Sequence, residues 1–173
     1  MKKLMSRPDW DEYFLGIATA AAQRSDCERS KVGAVVVKDR RVRATGYNGA
    51  PTGRDGCSSC PRRLAEGVVP GVTGYDAGPG RCVAVHAEAN ALLYCDREDL
   101  IGATLYITRE PCPGCSKLIQ ATGIERVVYP EIDKVEKWEY GGKVCEVERP
   151  TGELISREVV TGPYLFDTRN QIR

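Results

Sequence analysis

The chain has 173 residues, 42% of them hydrophobic and 28% charged, a balance that fits one globular domain with its own core and excludes a disordered chain. Its 25 basic and 24 acidic residues give a formal net charge of +1, which carries no global signature of a duplex nucleic-acid binder, so no nucleic-acid partner is expected. No apolar run is long enough to span a membrane, and the opening MKKLMSRPDWDEYF lacks a signal peptide's apolar core; a cytoplasmic protein with no membrane partner is expected.

The first periodic segment is DWDEYFLGIATAAAQR, residues 9–24. It places Tyr13, Phe14, Ile17 and Ala21 at helical spacing behind Asp9 as N-cap. VGAVVVKD and RVRATGYNG then read as two strands of a hairpin, turning around Lys38 to Arg41. NGAPTGRDG breaks regular structure, and a Gly/Pro-rich insertion follows from Cys57 to Cys82. A structureless loop of that length needs something to hold it. HAEANALLYCDRED predicts one helix starting near His86, GATLYIT a strand, GCSKLIQATG a helix closing on Gly123, and IERVVYP another strand. This order, a hairpin and then α, β, α, β, points to an α/β layered sheet within a single domain spanning 1–173. Beyond Pro130 the composition turns polar. KVCEVERPTGELISREVV reads there as two strands around a Pro-Thr-Gly turn, making 131–173 a C-terminal extension that carries a β-hairpin.

Eight cysteines in a reducing compartment favour metal ligation over disulfides, and the single histidine, His86, must do any imidazole chemistry. His86-Ala87-Glu88 is followed downstream by Pro111-Cys112-Pro113-Gly114-Cys115. One imidazole and two thiolates make three zinc ligands and leave the fourth tetrahedral position open for water. Each cluster sits where the chain enters a helix, and the positive end of a helix favours thiolates. Glu88, two residues beyond His86, can reach that water without being a ligand and can pass its proton to a substrate nitrogen. The spacing is the H-x-E…P-C-x-x-C signature of zinc nucleobase deaminases. The rival is a structural zinc ribbon built from both C-x-x-C pairs, in a non-catalytic binding module. It leaves Glu88 without a role.

The stretches CERSKVGAVVVKD, ATGYNGAPTG, VHAEANALL, GATLYIT and PCPGCSKLIQATGIERVVY resemble the deoxycytidylate deaminase branch of the cytidine deaminase superfamily. They cover most of residues 25–129. The resemblance implies a three-layer α/β/α fold around a mixed, about five-stranded sheet. It implies zinc-dependent hydrolysis of a deoxycytidine nucleotide, dCMP to dUMP and ammonia, with dCTP or a 5-substituted dCMP as alternative substrates. His86, Cys112 and Cys115 would hold the catalytic zinc, and Glu88 would protonate N3 of cytosine and then the departing amine. Asn48, Ala87, Tyr94 and Arg97 are the implied substrate contacts. Asn48 reads equally as a deoxyribose contact or a left-handed turn residue. Tyr94 and Arg97 read as a nucleotide-side pair or as packing and solvated face. Some relatives are hexamers regulated by dCTP and dTTP, so a homo-oligomer with those effectors is implied.

Arg109 departs from the apolar residue common in relatives, and faces either an anionic substrate or solvent. Relatives with a second, structural zinc draw its ligands from positions matching Cys27, Cys57, Cys60 and Cys82. Such a closed site would clamp the 57–82 loop, the alternative being four free thiols. Cys95 and Cys145 read as structural thiols.

Overall fold

The computed structural model describes residues 7–68, 74–75, 78–140 and 143–159, with side chains of 132–150 outside the description. Asp9 starts the first helix, α1 (Trp10–Ala22), through a capping box. Its carboxylate accepts from Glu12 N–H at 2.8 Å, and the Glu12 carboxylate accepts from Asp9 N–H at 3.2 Å. Of the residues at helical spacing, Phe14 is buried and Ile17 packs partly buried beside it, while Leu15, Ala18 and Ala22 complete the buried stripe. Tyr13 lies half exposed, edge-on to Trp10 and Phe14, because the helix turns Phe14 and Ala18 toward the sheet.

The hairpin forms as expected, with β1 (Gly33–Lys38) antiparallel to β2 (Arg41–Tyr47). Asp39 and Arg40 both take positive φ, as a two-residue turn matched to strand twist requires. Within the 57–82 insertion the chain is not wholly structureless: a 3-10 turn covers Cys57–Ser59 and a short α2 covers Pro61–Leu64. The segment after His86 splits in two, α3 (Ala87–Leu93) and α4 (Arg97–Leu100). Asp96 between them adopts the extended backbone of an N-cap, a position Asp prefers over a helix interior. Then come β3 (Thr104–Ile107), α5 (Pro113–Gln120), β4 (Arg126–Tyr140) and β5 (Lys143–Glu158).

The strands form one mixed sheet in the order β2-β1-β3-β4-β5, in which only β3 and β4 run parallel. Both faces of β1 are covered. Ala34 and Val36 join the core under α3 and α5, while Val35 and Val37 pack with Phe14, Leu15 and Ala18 of α1. The α/β/α layering is therefore built from the strand's alternation.

Two glycines set the layer spacing. A Cβ on Gly33 would collide with the α1 backbone at Ala18, and one on Gly46 would collide with the α3 backbone at Ala87 and Ala91. Alanines on the helices and glycines on the strands let the backbones touch.

The expected turn at Pro150-Thr151-Gly152 does not reverse the chain. β4 continues past Pro130, Tyr140 pairs with Lys143, and the Pro-Thr-Gly stretch is a bulge inside β5. Pro130 faces Leu154 and Ile132 faces Pro150, so the extra residues loop outward around Glu131. Gly152 supplies the positive φ, and Thr151 Oγ1 donates to the Glu131 carboxylate at 3.1 Å. Cys145 is a residue whose side chain is outside the description, as is the whole of 160–173.

Candidate metal centre and nucleotide pocket

The site forms where the ends of β2 and β3 meet the starts of α3 and α5. A reciprocal backbone pair between Gly49 and Val85 pins the chain beyond β2 to the residue before His86. Asn90 donates to the Tyr47 carbonyl at 2.9 Å, fastening α3 to the same strand end. His86 is the N-cap of α3 and Cys112 the N-cap of α5. The Cys112 sulfur accepts from Cys115 N–H at 3.5 Å, which folds the P-C-x-x-C loop into the first turn.

His86 Nδ1 lies 3.4 Å from both Cys112 Sγ and Cys115 Sγ. Among the described residues these three are the one group of metal donors whose ligand atoms all fall within 4.8 Å of one another. The donor set fits zinc: a borderline-soft ion takes one imidazole and two thiolates readily. Burial, then the charges of Glu88 and Cys112, push the Cys115 thiol well above its ordinary range, a cost that a divalent cation at this point removes. Glu88, 4% exposed, sits beside the triad in the first turn of α3. Burial raises its carboxyl above the usual range, against the opposing pull of His86, Cys115 and Arg109.

The pocket over this triad is lined by Asn48, Ala87 and Glu88 of the expected residues. Asn48 does not take the left-handed conformation, since the positive-φ residues other than glycine are Asp39 and Arg40 among the described residues. It works as a cross-brace: Oδ1 accepts from Val32 N–H at 2.7 Å and Nδ2 donates to the Ser30 carbonyl at 2.8 Å. Ala87, fully buried, offers only a methyl and backbone. Tyr94 and Arg97 are not brought to the pocket; Tyr94 is 80% exposed at the far end of α3.

Cys27, Cys57, Cys60 and Cys82 all reach the same pocket's other side. They approach in a looser group than the downstream triad, with Cys60 and Cys82 sulfurs 4.0 Å apart and Cys57 Sγ accepting from Glu28 N–H at 3.4 Å. Burial raises the Cys57 and Cys82 thiols. Against the same burial, the N–H groups of Val83, Arg62 and Arg63 hold the Cys60 thiol down. Cys95 lies on neither cluster; burial raises its thiol.

Sequence reasoning missed Tyr75. Its ring packs edge-on to His86 with centroids 5.3 Å apart, and the Arg62 guanidinium stacks 4.0 Å from its centroid. Arg62 is buried and donates to the carbonyls of Gly74 and Gly80, so the insertion wraps a charge to deliver an aromatic onto a metal ligand. The signal was present: Tyr75 is the one aromatic residue between Cys57 and Cys82.

Comparison with known proteins agrees with this geometry. Residues 8–131 match the cytidine and deoxycytidylate deaminase zinc-binding region. A deoxycytidylate deaminase of Mycobacterium phage D29 is 84% identical over 127 residues, covering 73% of this chain and 98% of that protein. The deoxycytidylate deaminase of Saccharomyces cerevisiae is 42% identical over 77% of this chain, which spans only 41% of the yeast protein. Among solved structures, the dCMP deaminase of cyanophage S-TIM5 in complex with dCMP and dUMP superposes with a TM-score of 0.52 at 30% identity, covering 72% of this chain and 83% of that one.

Proposed function

The chain belongs to the cytidine and deoxycytidylate deaminase family, and from that premise we propose that it hydrolyses dCMP to dUMP and ammonia. The observation that carries this reading is the compact His86, Cys112 and Cys115 donor set with the buried Glu88 carboxyl beside it. Zinc held by those three side chains supplies Lewis-acid activation of water.

Glu88 does the proton work. Its carboxylate takes a proton from the attacking water and delivers it to N3 of the cytosine as the water oxygen bonds to C4. It then takes the remaining proton from the oxygen now bonded to C4 and gives it to the exocyclic nitrogen, so that the C4–N bond breaks, the C4 carbonyl forms and ammonia leaves. Burial serves this role by keeping the carboxyl's proton affinity high. Asn48 spends one of its two amide hydrogens on Ser30; the other is available to a deoxyribose hydroxyl. Ala87 closes the pocket beside the base.

Cys27, Cys57, Cys60 and Cys82 hold a second, structural zinc that staples the insertion. Their common location and the amide groups around Cys60 support that role. Tyr94 and Arg97, remote from this copy's pocket, act at subunit contacts of a homo-oligomer, supported by the exposed Leu93 and Tyr94. Hexameric assembly, dCTP and dTTP as effectors and a cytoplasmic location complete the proposal. No helix among the described residues is long and apolar enough to cross a membrane.

Ammonia release from dCMP, dCDP, dCTP, deoxycytidine and a cytosine-containing oligonucleotide, with and without dCTP or dTTP, tests the activity. dCMP is expected to be the best substrate; no turnover of any free nucleotide overturns it.

A further inference from the structure

The backbone around His86 is fixed twice. The Gly49–Val85 pair holds the residue before it, and the His86 carbonyl accepts from Asn90 N–H at 2.8 Å in the first turn of α3. Neither contact sets the rotation of the imidazole. A metal-bound histidine is ordinarily oriented by its second ring nitrogen, which donates to a carbonyl or a carboxylate. Here Nδ1 faces Cys112 and Cys115 at 3.4 Å, and Nε2 makes no hydrogen bond to a described residue. What meets the imidazole instead is Tyr75, its ring at 88° to the imidazole plane with centroids 5.3 Å apart. An edge-to-face pair at that distance is attractive and directional.

Tyr75 is tightly held for a residue on a Gly/Pro-rich loop. Its carbonyl accepts from Cys82 N–H at 2.7 Å, and Arg62 lies over its ring at 4.0 Å. Arg62, 4% exposed, donates from Nη1 to the carbonyl of Gly74, the residue before Tyr75, at 2.8 Å and to that of Gly80 at 3.2 Å. Its own N–H donates to the Arg81 carbonyl at 3.1 Å. Burying a guanidinium is costly unless its donors are satisfied, and here it fixes one aromatic ring against one imidazole. The Tyr75 hydroxyl accepts from Arg29 Nη2 at 3.5 Å, the long end of a hydrogen bond, so the ring rather than the hydroxyl carries the contact with His86.

Resting on the zinc-dependent deaminase reading, we infer that Tyr75 is a positioning residue for the metal ligand His86, oriented by Arg62, and that the 57–82 insertion thereby sets how firmly the catalytic zinc is kept. The ring acts through the imidazole, in the place that a hydrogen-bonded carboxylate or carbonyl takes in other zinc sites.

The test is zinc release from the holoprotein into excess chelator, the phase belonging to the His86 site being the one missing from Cys112→Ser. Tyr75→Leu speeds that phase by about 10-fold, the lower end for a group that orients a metal ligand. Tyr75→Phe keeps the ring and stays within about 2-fold of wild type. Arg62→Lys keeps the charge but loses the flat guanidinium, and speeds release by less than Tyr75→Leu does. Urea unfolding of each variant separates a lost contact from a lost fold, with Arg62→Lys as the second arm if Tyr75→Leu does not fold. In dCMP turnover Tyr75→Leu lowers kcat and leaves KM nearly unchanged, because the ring acts on the ligand and not on the substrate. Wild-type zinc release in both Tyr75→Leu and Arg62→Lys overturns the inference. So does a Tyr75→Phe protein that releases zinc as fast as Tyr75→Leu, or an effect of Tyr75→Leu confined to KM. A wild type that holds zinc at His86 but turns over no dCMP overturns the deaminase reading, and the zinc-release comparison alone then decides the role of Tyr75.

Discussion

Replacing Gly46 by alanine tests whether the distance between β2 and α3 sets the metal site. An added Cβ would meet the Ala87 carbonyl oxygen and stand 2.5 Å from Ala91 N and 3.0 Å from Ala91 Cα, all backbone atoms. Ordinary contact begins near 3.4 Å, so α3 must retreat by about 1 Å, since neither a strand interior nor a helix backbone can deform locally at low cost. His86 and Glu88 flank Ala87 and travel with the helix, whereas Cys112 and Cys115 stay with α5. The 3.4 Å separations between His86 Nδ1 and the two sulfurs then open. A misplacement of about 1 Å costs on the order of 100-fold in rate. Overpacking costs about 1–3 kcal/mol in stability. Gly16→Ala is the control, because a Cβ there meets nothing within 4 Å on the exposed side of α1. Zinc content, kcat/KM for dCMP and urea unfolding are measured together. A Gly46→Ala protein that binds the catalytic zinc fully and keeps wild-type turnover refutes the account.

Glu88→Gln keeps the shape of the side chain and removes its proton transfer, so activity drops by about 100–10,000-fold with the catalytic zinc retained; wild-type turnover in that variant would remove Glu88 from the mechanism. Two zinc ions per chain are expected, falling to one in Cys57→Ser with the catalytic ion kept; a single zinc in the intact protein refutes the staple. Asp11 accepts from both Arg126 terminal nitrogens, at 2.9 and 2.5 Å, and from the Tyr106 hydroxyl at 2.8 Å, and the Arg126 bond holds its carboxyl below the ordinary range. The stability this contributes is complete above the unfolded-state value of about 3.9 and is lost as pH falls through the lower folded-state value. With both partners about a quarter exposed, Asp11→Ala costs about 1–2 kcal/mol at pH 7. The gap to wild type narrows below pH ~4 in chemical unfolding; a gap that stays constant down to pH ~2 contradicts the assignment.

The metal centre was legible because its information is local. Each cluster lies at a helix start, and the spacing of His86 to Glu88 and of Cys112 to Cys115 already places each pair on one turn. The hairpin was legible for the same reason, through alternation and a short turn. What the sequence hid is long-range or competitive. The contact of Arg109 with Ser30 joins residues 79 apart and exists only because β1 and β3 pair. Pro150-Thr151-Gly152 has the chemistry of a reversal, yet the pairing of β4 with β5 continues on both sides and turns it into a bulge. Gly141-Gly142, between the two strands, carried the rival turn signal. The inner face of α1 was legible only in part: the spacing included Phe14, which packs on Val35 and Tyr106, but it also included the half-exposed Tyr13 and left out Leu15, Ala18 and Ala22.

The Gly49–Val85 bridge closes a circuit: the chain passes out of the sheet after β2 and comes back beside His86, and the described residues between the bridge's ends form no strand. A segment tied at both feet can be lengthened, shortened or exchanged at small thermodynamic cost, since each doubling of a flexible loop adds only about 0.6 kcal/mol of closure entropy. Selection can therefore rewrite the pocket's wall, Tyr75 included, while the backbone that carries the ligands stays in place. On this plan the aromatic wall facing His86 can be exchanged as one cassette while Asn48 and Ala87 stay where they are.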